Sequence, residues 1–167
     1  DAYGALARRS LEGYIRTGEV LAVPEGLPEE MYGQAGVFVS LKENGSLRGC
    51  IGTIQAAESS VAGEIIYNAI SAGTRDPRFQ PVEPSELDRL TITVDVLGEL
   101  EKIDSADQLD EKRYGVVVSN ENSQGLLLPN LDGVDSIEEQ IAIAKRKAGI
   151  HEKEEVELWR FEVVRHY

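Results

Sequence analysis

Apolar residues recur at steps of three and four in three stretches of the chain. Tyr3, Ala7, Leu11 and Tyr14 form one such stripe, ended by Gly18. Val61, Ile65, Ile66, Ala69 and Ile70 form a second, opened by Ser59 or Ser60 and closed near Gly73. Ile137, Ile141, Ala144 and Ala148 form a third, between the capping-box pattern Ser136-Ile137-Glu138-Glu139 and Gly149. This spacing places each set on one face of a helix, and hydroxyl caps and terminal glycines satisfy or release the groups left over at the ends. Elsewhere the period is two. Leu90, Ile92, Val94 and Val96 alternate with polar residues, and so do Trp159, Phe161 and Val163, which predicts two half-buried strands. The short run 36–41 predicts a buried strand, and the Asn44-Gly45 pair after it predicts a tight hairpin in which 47–54 returns antiparallel. A second hairpin is predicted from Val116–Val118 and Leu126–Leu128 around 120–123, with Pro129 ending its second strand. Ser85–Leu87 reads as one helical turn, and 99–113 as a polar connecting stretch.

Hairpins mixed with about three helices imply an α+β fold with a mixed, largely antiparallel sheet. The 167 residues fit one domain spanning 1–167, and the proline-rich loop at 77–84 and the stretch 99–113 are the places where it would divide into two sub-lobes. Thirty acidic against seventeen basic residues give a net charge of -13, which repels a phosphate backbone and argues against nucleic acid as a partner. No run approaches the roughly 18 apolar residues of a membrane span, so no membrane partner is expected. A single cysteine fits a reducing compartment, and the expectation is a cytoplasmic protein.

The densest chemistry lies in Leu47-Arg48-Gly49-Cys50-Ile51-Gly52-Thr53, where two glycines interrupt a strand beside the lone thiol. Glycine in a strand marks a bulge or the close approach of a ligand or another backbone. In an extended segment Arg48 and Cys50 share a face at about 7 Å, so a guanidinium there would favour the thiolate. A lone cysteine is otherwise most often an inert buried side chain. Asp76-Pro77-Arg78-Phe79 displays a carboxylate, a guanidinium and a ring on a stiff loop, and its simpler reading is a surface ion pair with a core-plugging ring. His151 and His166 lie apart from any second ligand at metal spacing, and no phosphate-cradling glycine motif opens a helix. Neither a metal nor a cofactor is expected.

The heptad 47–53 resembles the signature of the AMMECR domain family, whose bacterial and archaeal members are called AmmeMemoRadiSam system protein A. Three further stretches agree in order: Asp76–Phe79 with Pro81 and Glu86, then Gly125–Pro129, then Lys147–Ile150 before the tryptophan strand. Where many members continue past the proline with Gln-Val-Ala, this chain has Asn130-Leu131-Asp132-Gly133-Val134-Asp135. The resemblance implies a compact α+β fold of two unequal lobes with the heptad near their cleft. It also implies association with Memo-type and radical SAM proteins, by gene neighbourhood. Two functional expectations stand. In one, an enzyme or enzyme subunit acts on a small molecule or a partner's side chain, with Cys50 as nucleophile, Arg48 and Asp76 as its catalytic companions, and Gly49, Gly52, Thr53 and Arg78 binding substrate. In the other, a non-catalytic module docks those same partners and Cys50 is structural.

Overall fold

The structure is a computed structural model that describes residues 1–167. It contains helices α1 (Ala2–Thr17), α2 (Val61–Thr74) and α3 (Ile137–Ala148). Its strands are β1 (Val37–Glu43), β2 (Ser46–Gly52), β3 (Leu90–Leu97), β4 (Glu101–Ile103), β5 (Gly115–Ser119), β6 (Gln124–Leu127), β7 (Glu157–Phe161) and β8 (Val163–His166). Short 3-10 turns cover Glu29–Tyr32, Pro84–Arg89 and Ala106–Gln108. The fold is α+β. Two four-stranded sheets run in the orders β2-β1-β3-β8 and β4-β7-β5-β6. The chain divides into two compact units, Asp1–Leu97 with Val164–Tyr167, and Gly98–Val163.

In the first unit β1 is the inner strand, antiparallel to both β2 and β3. Asn44 (φ 53°) and Gly45 (φ 81°) take the left-handed conformations that a two-residue hairpin turn needs. Ser60 accepts from the Gly63 amide at 3.0 Å and starts α2. Helix α2 packs on β1 and β2, and α1 packs on α2 and β3. Leu6, Leu11, Ile65, Ile66, Ile70, Val37, Val39, Leu41 and Val94 fill the core between them. Strand β2 therefore lies at a sheet edge, with α2 behind it.

In the second unit α3 lies against β5 and β6, and Ala144 joins Val116, Val118, Leu127 and Ile150 in a separate core. Its first turn is held by Ser136, which accepts from the Glu139 amide at 3.1 Å.

Two expectations change. The alternation through Trp159, Phe161 and Val163 is not one strand: it breaks at Glu162, and β7 and β8 belong to different sheets. The polar stretch 99–113 holds β4, whose three residues are too few to show a period. No helix is long and apolar enough to cross a membrane.

Candidate functional site

The heptad forms β2 and the residue that follows it. Alternation along the strand turns Gly49 toward α2, where an added Cβ would stand 2.1 Å from the Ala72 carbonyl oxygen. A bulge at Arg48 breaks the alternation, since Leu41 pairs with Gly49 and Lys42 with Leu47; Cys50 and Gly52 point to the opposite face. There Gly52 is paired with Phe38, whose ring occupies the place a Cβ would take, 2.2 Å from its nearest carbon. Both glycines thus answer to neighbours within the first unit: one lets α2 approach the strand, the other makes room for a ring. The heptad's last residue, Thr53, donates its hydroxyl to Glu64 Oε2 at 2.7 Å. Glu64 is almost fully buried in the first turn of α2, and it also accepts from the amides of Ala57 and Glu58, tying the segment after β2 to the helix.

Cys50 is partly buried and lies opposite Ser40 of β1. The Ser40 hydroxyl donates to its sulfur at 3.3 Å. On the open side of the edge strand, the Cys50 amide donates to Asp76 Oδ2 at 3.0 Å. The same carboxylate grips Arg78 as a fork, from Nε to Oδ1 at 3.0 Å and from Nη2 to Oδ2 at 2.8 Å, and accepts the Arg78 amide at 3.1 Å. Proline at position 77 restricts the loop that makes this turn, and the Phe79 amide closes it on the Asp76 carbonyl at 3.1 Å. The Asp76 side chain is 2% exposed. The Arg78 hydrogen bond, joined by the two backbone amides, outweighs burial and brings its pKa from 3.8 to about 2. Arg78 is shifted upward, first by the Asp76 hydrogen bond, with the charge available at Cys50 adding to the effect.

An unbroken strand would set Arg48 on the Cys50 face, but Arg48 is the bulged residue of β2 and its guanidinium goes to carboxylates. Glu86 Oε2 lies at 3.0 Å and Glu43 Oε2 at 3.9 Å, and the arginine side chain is only 14% exposed. Glu43 also binds Arg89 at 2.8 Å. The Phe79 ring is approached by two cations, with Arg48 6.0 Å and Arg78 5.4 Å from its centroid. The structure therefore brings together Arg48, Cys50, Asp76 and Arg78 and adds Ser40, Phe79 and Glu86. Ser40 carried one signal in the sequence, as a polar residue inside an apolar strand. Glu64 carried another, as a carboxylate on a helix whose neighbouring positions are apolar.

The histidines stand elsewhere: His166 stacks on Tyr3 at 3.6 Å and pairs with Asp1, and His151 accepts from the Lys153 amide at 3.1 Å. No group of three or more His, Cys, Asp or Glu side chains has the arrangement of a metal site. In the second unit Gly125, at the head of the Leu-Leu-Leu-Pro stretch, lies against α3, where an added Cβ would stand 2.2 Å from the Ala144 carbonyl oxygen.

Along almost its whole length the chain is similar to known proteins. A Thermotoga maritima protein is 48% identical over 167 residues, covering 98% of this chain and 96% of its own length. A Clostridium acetobutylicum protein is 49% identical over 168 residues, and the match covers 99% of this chain but 36% of that longer protein. The crystal structure of an uncharacterized protein from Pyrococcus horikoshii superposes with a TM-score of 0.91 at 32% identity, covering 98% of this chain and 88% of that one. The AMMECR1 family model matches residues 4–166, and the chain belongs to the AMMECR1 family.

Proposed function

We propose that this chain is an enzyme or enzyme subunit in which Cys50 acts as a nucleophile toward a small molecule or a partner's side chain. The carrying observation is the setting of Cys50: the residue is partly exposed, its sulfur receives the Ser40 hydroxyl at 3.3 Å, and its own amide is pinned by Asp76 at 3.0 Å. A hydroxyl donated to sulfur favours the thiolate, and a strand fixed from both sides holds the attacking atom in one place. Asp76, held near 2, remains ionised at neutral pH, so its part is positioning. Arg48 is neutralised by Glu86 and Glu43 and has no assigned part in the chemistry. In the reaction the thiol proton passes to solvent and the sulfur electron pair forms a bond to an electrophilic carbon. That carbon is an acyl carbon, whose leaving group departs with its own bonding pair; water then adds its oxygen to the carbon, the carbon–sulfur bond breaks and the sulfur takes back a proton. Memo-type and radical SAM proteins are the proposed partners, on the strength of family association.

The packing explanation of Gly49 and Gly52 favours a second reading, a docking module for the same partners in which Cys50 is structural. Alkylation of native Cys50 by iodoacetamide across pH 5 to 10, for wild type and Ser40→Ala, separates the two. The nucleophile reading expects a midpoint below the roughly 8.5 of an unfolded thiol, moved upward by Ser40→Ala. Protection at every pH at which the fold survives overturns it. For the docking module, Cys50→Ala keeps partner affinity within about tenfold.

A further inference from the structure

The two arginines beside Cys50 differ in what they have left to offer. Arg48 is shielded and faces two carboxylates. Arg78 is 52% exposed and uses only one edge of its guanidinium, Nε and Nη2, on Asp76, while Nη1 makes no hydrogen bond within the protein. That one-edge grip fixes the plane of the group, and the Phe79 ring at 5.4 Å supports its face. Its position relative to the thiol strand is also fixed. Nη2 and the Cys50 amide meet at the same oxygen, Asp76 Oδ2, and so lie within about 6 Å of each other. A rigid guanidinium with an unused edge is the geometry that takes a carboxylate or phosphate through paired hydrogen bonds. It stands on a chain of net charge -13, where such a group is the local exception.

We infer that Arg78 is an anion-recognition residue for Cys50: its open edge holds a carboxylate or phosphate of the substrate while an electrophilic centre in the same molecule faces the thiol. The inference rests on Cys50 being the nucleophile.

Paired alkylation rates test it. Iodoacetate and iodoacetamide form the same sulfur–carbon bond and release the same iodide, and they differ in charge. The overall acidity of the protein disfavours iodoacetate. A native iodoacetate-to-iodoacetamide rate ratio at least about threefold above that of the unfolded chain, collapsing at ~0.5 M salt, is therefore the signature of a local cation. Arg78→Gln is expected to abolish the excess. Arg78→Lys keeps part of it and guards against loss of the Asp76 partner, and Arg48→Gln leaves it in place. Protection against iodoacetamide by inorganic phosphate and by acetate, compared at equal concentration, tells which anion the site prefers. If both reagents attack Cys50 and the ratio equals that of the unfolded chain, the Arg78 role is overturned and the nucleophile survives. If neither reagent reacts, the nucleophile reading falls. The Arg78 Nε–H resonance then decides the rest: saturable movement with phosphate or acetate supports an anion site, and an unmoved signal overturns it.

Discussion

Two aspartates of the first unit have side chains 2% exposed and are paired with an arginine, yet their ionisation moves in opposite directions. Asp76, beside Cys50, falls to about 2. Asp95 of β3, held by Arg165 Nε at 2.7 Å, is raised above 3.8 because burial dominates. The difference lies in the balance between burial and the arginine: for Asp95 burial outweighs the Arg165 hydrogen bond, whereas for Asp76 the Arg78 hydrogen bond exceeds a smaller burial penalty, and two backbone amides add to it. Amides fixed by a strand and a turn cost little further ordering, so they add to the guanidinium in stabilising the Asp76 charge. One carboxylate is locked in its charged form to hold the candidate nucleophile; the other is a structural pair carrying the cost of its own burial.

The largest break in this comparison is Asp76→Ala. It strands the Cys50 amide and the Arg78 fork at once, and a loss of about 3 to 4 kcal/mol is expected in urea unfolding, well above that for Asp95→Asn. Next comes Gly49→Ala, whose methyl would meet the Ala72 carbonyl at 2.1 Å and push β2 away from α2. A loss of about 2 to 3 kcal/mol is expected, with the Asp76 titration, followed by carboxyl NMR, moving upward as the Cys50 amide draws off.

The acid limb of stability sharpens the contrast without any mutation. A carboxylate depressed from 3.8 to about 2 contributes about 2 kcal/mol above pH 4, and that contribution disappears as pH falls toward 2. Asp95 acts with the opposite sign: its folded form takes up a proton more readily than the unfolded chain, so protonation relieves a penalty. Urea midpoints from pH 6 to 2 should therefore fall less steeply in Asp76→Asn and more steeply in Asp95→Asn than in wild type. At neutral pH the smallest effect is that of Asp95→Asn, a change of about 1 kcal/mol or less, because removing a desolvated charge compensates for the weakened Arg165 contact. A larger loss would show that the Asp95 pair contributes more than its burial takes away.

Local rules carried the reading of the fold where a single residue dictates backbone geometry. Asn44-Gly45 announced its turn because few other residues accept the required dihedrals, and the pair Ser59-Ser60, of which Ser60 makes the cap, and Ser136 announced helix starts because their hydroxyls have amides to cap. The break at Glu162 was invisible, since alternation of side chains continues across a change of sheet. At the site, Asp76–Phe79 was legible as an ordered loop, whereas the two-residue spacing of Arg48 and Cys50 could not show the bulge at Arg48 that interrupts the alternation. The partner of Arg48 lies 38 residues away in Glu86, and no periodicity joins them. Likewise the Asp76–Arg78 pair was foreseeable at two residues' distance, whereas its hold on the Cys50 amide required the loop after α2 to lie along the edge of the sheet.

That hold has a consequence for how molecules of this protein meet one another. An edge strand offers a row of unpaired amides and carbonyls to any strand that arrives from another chain, the usual route to intermolecular sheet growth. Asp76 occupies the amide of Cys50 in the middle of that row, with a permanent negative charge and a forked arginine where an incoming strand would need a carbonyl. The strand that displays the thiol is thus closed to strand addition by the same contact that keeps the thiol in place.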